Sequence, residues 1–133
     1  MSALVEAAVK ARLTAYAPYS KFLVGAAMLD EHGKIHIGCN VENAAYPQGT
    51  CAEAGALASL AISGARQIRE VAVVGAGTGL VTPCGGCRQK IREFAGPDVK
   101  IHVCDDQGNV KRTFTLEELL PSSFGPDNLG IEP

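Results

Sequence analysis

The first apolar pattern along the chain is the stripe of a helix. Its members fall close to helical spacing and are Leu4, Val5, Ala8, Val9 and Leu13. Ser2 has the side chain of an N-cap, and Pro18 cannot continue a helix. The pattern therefore predicts a helix over residues 2–16.

Five later stretches have the apolar and β-branched residues of strands. They are 23–30, 35–41, 70–76, 100–105 and 110–114. The first two flank a short polar turn with Gly33 at its tip, which predicts a hairpin. The third is a continuous β-branched run, which is typical of a strand covered on both faces.

Residues 51–64 are apolar or small on nearly every side of a helix. Such a helix is buried all round, so we expect it to be flanked on two sides within the chain or packed against another subunit. Residues 84–94 predict a second helix, and Thr115 with Glu118 forms a capping box for a short last one. The stretch 121–133 has no periodicity.

The order of these elements, α-β-β-α-β-α-β-β-α, predicts the fold class. We expect an α/β protein with one mixed sheet of about five strands and helices on both faces. The chain has 133 residues, 47% of them apolar and 20% charged, which is the composition of one domain spanning 1–133. No internal repeat or linker divides it.

Charge and hydropathy narrow the classes of partner. The 12 basic and 14 acidic side chains give a net charge of −2, which argues against a chain built to hold a nucleic-acid backbone. No apolar run approaches the roughly 20 residues that cross a bilayer, so we expect no membrane segment. The start lacks a basic stretch followed by an apolar one, and we expect a cytoplasmic protein.

The cysteines are the first sign of chemistry. They are Cys39, Cys51, Cys84, Cys87 and Cys104. An odd, unevenly placed set does not predict a disulfide framework, and clustered cysteines in a reducing compartment more often bind metal or react. The three histidines, at positions 32, 36 and 102, show no ligand spacing, and we expect them at the surface or in strands.

Two short segments place cysteines at predicted helix starts. They are Cys51-Ala52-Glu53 and Cys84-Gly85-Gly86-Cys87. Free backbone N–H groups and the helix dipole favour thiolates at such positions. Three thiolates bind Zn²⁺ and leave a fourth position for a water whose pKa falls to about 7. Glu53, two residues after one ligand, is placed to move protons for that water.

Each of these residues also fits a simpler role. A lone C-x-x-C motif fits a redox pair or half of a structural zinc site, with Cys39 or Cys104 as a nominal fourth ligand. Both lie in apolar strand patterns, where we expect them in the core. Glu53 alone fits an ordinary first-turn helix acid. As the only charged side chain between Cys51 and Arg66, it is also a candidate catalytic carboxylate.

Five stretches together resemble the short, single-domain cytidine deaminases. In the order of that family they are YSKFLVGAA (19–27), GCNVENAAY (38–46), TCAEAGALA (50–58), TPCGGCRQ (82–89) and LLPSSFGP (119–126). The resemblance implies a three-layer α/β/α fold and zinc-dependent hydrolysis of cytidine and 2′-deoxycytidine to the uridines and ammonia. The expected chemistry adds hydroxide at C4 of the pyrimidine, with Glu53 moving the protons.

The resemblance also implies roles for individual residues. It assigns zinc ligation to Cys51, Cys84 and Cys87 and substrate contacts to Phe22, Asn40, Val41, Glu42, Tyr46, Ala52 and Phe124. Asn40 and Glu42 match a pair that hydrogen-bonds the sugar 3′-hydroxyl, although by themselves they fit strand-end and turn positions. Phe22 and Phe124 match aromatics that enclose the base, although by base rate each fits the core. Phe124 and Tyr46 match residues that reach a neighbour's site, so we expect a homotetramer with shared active sites.

The chain departs from the family pattern at one position beside the expected ligands. Many members carry an arginine after the CAE glutamate, where this chain has Ala54. Zinc, three thiolates and hydroxide sum to a formal charge of −2, and two helix N-termini return only about +0.5 each. We hypothesise that Arg88, next to Cys87, supplies part of the compensation. Arg88 fits a solvent-facing position of an amphipathic helix equally well.

Two rival functions remain at this point. One is a related deaminase that acts on a free base or an aminonucleoside antibiotic; Asn40, Glu42 and the closing LLPSSF favour the nucleoside. The other is a non-catalytic module that zinc merely stabilises. The acidic charge balance and the absence of a basic stripe argue against a nucleic-acid substrate.

Overall fold

The computed structural model describes residues 1–131, so residues 132–133, at the end of the predicted tail, lie outside the described residues. Its helices are α1 (Ala3–Arg12), α2 (Ala52–Ile62), α3 (Gly85–Arg92) and α4 (Leu116–Leu119). Its strands are β1 (Val24–Asp30), β2 (Ile35–Cys39), β3 (Ile68–Gly75), β4 (Lys100–Cys104) and β5 (Val110–Thr115). Single 3-10 turns span Tyr46–Gln48 and Pro126–Leu129.

The five strands form one mixed sheet in the order β2-β1-β3-β4-β5. Strands β3 and β4 run parallel, and the other neighbours are antiparallel. Alternate residues of β3 face opposite layers: Val71 and Val73 pack with α2 and α3, whereas Ala72 and Val74 pack with α1. The predicted α/β class, with helices on both faces of a five-stranded mixed sheet, is confirmed.

Helix α1 is shorter than the apolar stripe predicts. It begins as expected, with the side chain of Ser2 accepting a hydrogen bond from the Val5 N–H at 3.2 Å. It ends at Arg12 rather than near residue 16 because the following residues leave the helix to pair with the chain after β2. Tyr16 donates its N–H to the Asn40 carbonyl at 3.0 Å and accepts from the Glu42 N–H at 2.9 Å. A tertiary pairing therefore overrides the local pattern.

Helix α2 is buried on one face only. Ala52, Glu53, Ala56 and Leu60 point into the protein, whereas Ile62 is 90% exposed. The expectation that its own chain flanks this helix on two sides is therefore wrong. The outer face of α2 is apolar, and residues 1–131 do not cover it. The other expectation, that a second subunit packs against this face, stays a prediction.

The absence of a side chain at Gly38 lets α2 lie directly on the sheet. A Cβ at this position of β2 would clash with the backbone of Ala52 and Ala56. The start of α2 is therefore held against β2 by backbone contact, and this fixes the place of the first helical turn.

The histidines lie where the sequence predicts, in strands or at the surface. His36 of β2 is buried and contacts the Asp30 carboxylate, with Nε2 2.7 Å from Oδ2. His102 of β4 contacts Glu70 and Thr113 on the neighbouring strands. Within residues 1–131, no helix combines the length and the apolarity needed to cross a bilayer.

Candidate active site

Three cysteine sulfurs meet where two helices begin. Cys51 is the N-cap of α2, Cys84 is the N-cap of α3, and Cys87 lies in the first turn of α3. The three sulfurs lie within 4.8 Å of one another, and those of Cys51 and Cys84 are 3.8 Å apart. Residues 33 positions apart in sequence thus form one cluster because α2 and α3 pack side by side on the same face of the sheet.

The spacing of the sulfurs fits a tetrahedral zinc ion. Two thiolates bound 2.3 Å from such an ion lie about 3.8 Å apart, which is the distance between Cys51 and Cys84. Among residues 1–131, no fourth cysteine, histidine or carboxylate joins the group. Three protein donors leave one tetrahedral position for water, which is the arrangement of a catalytic rather than a structural zinc.

The two remaining cysteines are separate from this cluster. Cys104 is buried in the core beneath α1, on the opposite face of the sheet, and burial raises the pKa of its thiol to about 11. Cys39 is half-buried in β2 and is not part of the sulfur group. The alternative of a fourth sulfur ligand from either residue is therefore wrong.

The sulfur cluster needs a cation to become fully ionised. Burial raises the pKa of Cys51 and of Cys87, and the Glu53 charge raises it further. Although burial acts against it, the pKa of Cys84 is lowered, because the Cys87 backbone N–H donates to its sulfur. The expectation that helix N-termini favour thiolates stays a prediction, supported at Cys84; a bound divalent cation would favour the thiolate form of all three residues.

Glu53 is a buried carboxyl group beside the sulfurs. It lies in the first turn of α2, two residues after Cys51, and is 4% exposed. Burial raises the pKa of Glu53, while its own backbone N–H and the Lys90 ammonium partly oppose the rise. A carboxyl group whose pKa lies closer to neutral pH is suited to taking up and releasing protons at physiological pH.

A cavity of about 340 Å³ opens directly above Glu53. This volume suits a small-molecule ligand. Its lining includes the predicted residues Asn40, Val41, Glu42, Tyr46, Cys51, Ala52, Glu53 and Cys84. A larger cavity of about 550 Å³ near Arg92 and Phe94 contains none of them. The structure thus brings most of the predicted site residues to one place.

The two polar residues predicted to contact the sugar also form hydrogen bonds with the loop before β1. Asn40 accepts from the Val24 N–H and donates to the Phe22 carbonyl, both at 2.9 Å. Glu42 accepts from the backbone N–H groups of Tyr19 and Ser20 at 3.0 Å and from the Ser20 hydroxyl. Both side chains therefore lie at the cavity with their orientation fixed.

The two phenylalanines predicted to enclose the base do not line this cavity. Phe22 is 43% exposed and Phe124 is 59% exposed, so neither is a core residue. Tyr46, which does line it, is 75% exposed and makes an edge contact with Tyr19. Within residues 1–131, neither Phe22 nor Phe124 covers the cavity, and Tyr46 is the one aromatic residue in its lining.

The Arg88 guanidinium group is hydrogen-bonded to neighbouring oxygen atoms. Its guanidinium donates to the Pro83 carbonyl at 2.7 Å, the Leu119 carbonyl at 2.9 Å and the Thr82 hydroxyl at 3.1 Å. None of these contacts is to a sulfur, and the side chain is half-buried rather than solvent-facing. Compensation of the thiolate charge by Arg88 stays a prediction.

Sequence reasoning missed several residues of the site. The Ser20 hydroxyl donates a hydrogen bond to the Glu42 carboxylate. The rest of the cavity lining consists of Val24, Gly49, Thr50, Val73, Val81 and Thr82. Sequence reasoning also missed Lys90. Its side chain runs back along α3, so its ammonium group lies near Gly86, which stands between Cys84 and Cys87 in the sequence. Glycine has no side chain to pair with a lysine, so no local sequence signal points to this position of Lys90.

A layered α/β/α domain with three sulfur donors, one free coordination position and a buried carboxylate defines a metal-dependent hydrolytic enzyme. Comparison with known proteins identifies the particular family. The family model for the cytidine and deoxycytidylate deaminase zinc-binding region matches residues 1–103. The chain belongs to this family.

Relatives and solved structures agree over nearly the whole chain. A cytidine deaminase of Sporosarcina psychrophila is 43% identical over 126 residues, which cover 95% of this chain and 92% of that protein. The crystal structure of a cytidine deaminase from Burkholderia pseudomallei is 45% identical with a TM-score of 0.86, covering 93% and 100% of the two chains. That of Mycobacterium tuberculosis is 37% identical with a TM-score of 0.80, covering 92% and 94%.

Proposed function

We propose that this chain hydrolyses cytidine and 2′-deoxycytidine to uridine and 2′-deoxyuridine, with release of ammonia. The observation that carries the proposal is the buried Glu53 carboxyl beside three converging sulfurs, at the base of a cavity of about 340 Å³. Relatives named cytidine deaminase that match over 95% of the chain support the same reaction.

The residues divide the work between them. Cys51, Cys84 and Cys87 hold Zn²⁺, which supplies a water acidic enough to ionise near neutral pH. Glu53 accepts a proton from the attacking water and passes it to ring N3 as C4 becomes tetrahedral. It then moves the second proton of that water to the departing amine, so that ammonia leaves and the carboxylate is regenerated.

Substrate recognition uses the walls of the cavity. Asn40 and Glu42 face the sugar, and their fixed orientation suits them to hydrogen-bond its 3′-hydroxyl. Val41 and Ala52 border the base. Phe22 and Phe124 enclose the ring, a role that their exposure on a single chain leaves available.

We further propose that the working form is a homotetramer in which Phe124 and Tyr46 complete a neighbour's site. The uncovered apolar face of α2 and the exposed aromatic side chains support this assembly. None of the five cysteines within residues 1–131 forms a disulfide, which supports the proposed cytoplasmic location. A role in pyrimidine salvage is part of the proposal because it follows from the nucleoside substrate.

The test is a substrate comparison on purified, metal-analysed protein. Ultraviolet absorbance loss and ammonia release are measured with cytidine, 2′-deoxycytidine, cytosine and a blasticidin-type aminonucleoside. The proposal expects turnover of both nucleosides and little of the other two compounds. Preference for cytosine or the aminonucleoside would establish the related deaminase instead, and bound zinc without any turnover would establish the non-catalytic module.

A further inference from the structure

The segment 122–127, here called the Phe124 segment, displays an exposed aromatic ring on a tightly held backbone. Ser122 has a φ of 54°, a left-handed conformation that a non-glycine residue adopts only when its surroundings impose it. Its N–H donates to the Glu117 carboxylate at 3.1 Å. The Gly125 N–H donates to the Asn128 side chain at 2.8 Å. The backbone on either side of Phe124 is therefore fixed.

Arg92, at the end of α3, binds this segment through its guanidinium group. Its Nε donates to the Ser123 hydroxyl at 2.9 Å, and its Nη2 contacts the Asp127 carboxylate at 2.5 Å. Its guanidinium lies against Gly125, where a Cβ would collide with it. The Arg92 side chain is 14% exposed, so the arginine itself is largely buried, whereas the Asp127 side chain that it contacts is 67% exposed.

Gln89 holds the same segment one turn earlier on α3. Its side-chain amide donates to the Phe124 carbonyl at 2.9 Å. Gln89 and Arg92 are three residues apart and share one face of the helix. The first turn of this helix carries Cys84 and Cys87, so one short rigid element joins the sulfur cluster to the Phe124 segment.

Phe124 is 59% exposed and belongs to neither core cluster, so folding alone does not account for this restraint. Restraint of an exposed aromatic group does lower the entropy lost when the ring stacks on a ligand. The hydrogen bonds from Gln89 and Arg92 are therefore best explained by a requirement that the Phe124 side chain keep one orientation.

We propose that Arg92 and Gln89 are positioning residues that hold Phe124 in the orientation in which it stacks on the pyrimidine bound at a neighbour's site. This inference rests on the proposed function. The two residues touch neither the substrate nor the metal, and they act only through the Phe124 segment. Their removal weakens substrate binding and leaves the chemistry at Glu53 intact.

The experiment measures kcat and KM for cytidine in Gln89→Ala, Arg92→Lys and Phe124→Ala, with zinc content as a second readout. Stacking on a base by an aromatic side chain sets the expected rise in KM for Phe124→Ala at about 5- to 150-fold. We expect a smaller rise in the two positioning variants, with kcat within about twofold and one zinc per chain throughout. Arg69→Ala, an exposed arginine without a hydrogen bond to the segment, is the matched control and is expected to behave as the wild type.

A double-mutant cycle separates positioning from general loosening of the fold. Adding Gln89→Ala or Arg92→Lys to Phe124→Ala should raise KM no further, because the group through which they act is already gone. A further rise in that background, or unchanged KM in both single variants of an active enzyme, overturns the inference alone. A wild-type chain that holds zinc and does not turn over cytidine overturns the proposed function together with it.

Discussion

Glu53 and the three sulfurs concentrate the chemistry of this chain in four side chains. Local sequence made them candidates, because an isolated carboxylate in an apolar helix and clustered cysteines both suggest chemistry, but each also fits a simpler role by itself. The resemblance to the deaminase family was needed to choose between these roles. The convergence of the side chains was not visible locally, since Cys51 and Cys84 are joined only through the packing of α2 on α3. The restraint of Arg88 by backbone carbonyls was equally hidden, because its partners at Pro83 and Leu119 carry no side-chain signal.

Replacing Glu53 by glutamine tests whether its carboxyl group moves the protons. Glu53→Gln keeps the size and burial of the side chain and removes its basicity, so the three sulfurs still bind zinc. We expect kcat to fall by roughly 10²–10⁴-fold, the range that a positioned acid–base group contributes. Ammonia release and metal content are measured on the same preparation.

The control for this variant is Glu6→Gln, which changes an exposed first-turn acid on α1. It should leave both turnover and zinc content unchanged. Ammonia release by Glu53→Gln at close to the wild-type rate would show that another group carries the protons.

Helices and strands were predictable wherever periodicity is strong, and their ends were less so. The hairpin, the doubly buried β3 and the capping box at Thr115 follow from local residue patterns. The early end of α1 does not, because it depends on Tyr16 pairing with Asn40 and Glu42 across the fold. The same pairing places Glu42 at the cavity, so the least predictable boundary is also one that builds the site.

Gly38 links the packing of α2 to metal binding. Gly38→Ala places a methyl group where the backbone of Ala52 and Ala56 already lies, so the start of α2 must move away from β2. We expect the free energy of unfolding of the metal-free protein to fall by about 1–3 kcal/mol, the usual cost of overpacking. Zinc affinity should fall as well, because Cys51 moves with the first turn. Urea denaturation and competition with a chelator measure the two effects.

Gly96→Ala is the matched control, because a Cβ at position 96 meets no atom within 4 Å. It should change neither stability nor zinc affinity appreciably. Zinc affinity that stays normal in Gly38→Ala despite lower stability would show that the placement of Cys51 does not depend on this backbone contact.

On the scale of the whole molecule, the outer face of α2 is apolar and is not covered by residues 1–131, and it lies on the same side of the sheet as the sulfurs. Sequence reasoning anticipated the apolar face of α2 but left open whether its own chain covers it. The answer required the sheet to be assembled, since only then is Ile62 seen to be 90% exposed. A contiguous apolar surface would mark an interaction site, so Ile62 on the outer face of α2 is the position at which to test the proposed assembly.

The assembly is tested by placing a charge on that face. Ile62→Lys should lower the mass of the particle in sedimentation experiments, because a buried ammonium opposes subunit contact. Activity on cytidine should fall with the mass if Phe124 and Tyr46 complete a neighbour's site. Leu13→Lys, a similar change at a 70% exposed position just after α1, serves as the control. An Ile62→Lys protein of unchanged mass would place the interface elsewhere.

Titration of zinc into metal-stripped protein, with cytidine turnover followed at each addition, tests the central claim most directly. The account predicts that activity rises linearly and reaches its plateau at one zinc per chain. It also predicts that Cys87→Ser, which loses the buried sulfur, gains little activity over the same range. Full turnover before any zinc is added, or a plateau of bound zinc with no turnover, would contradict it.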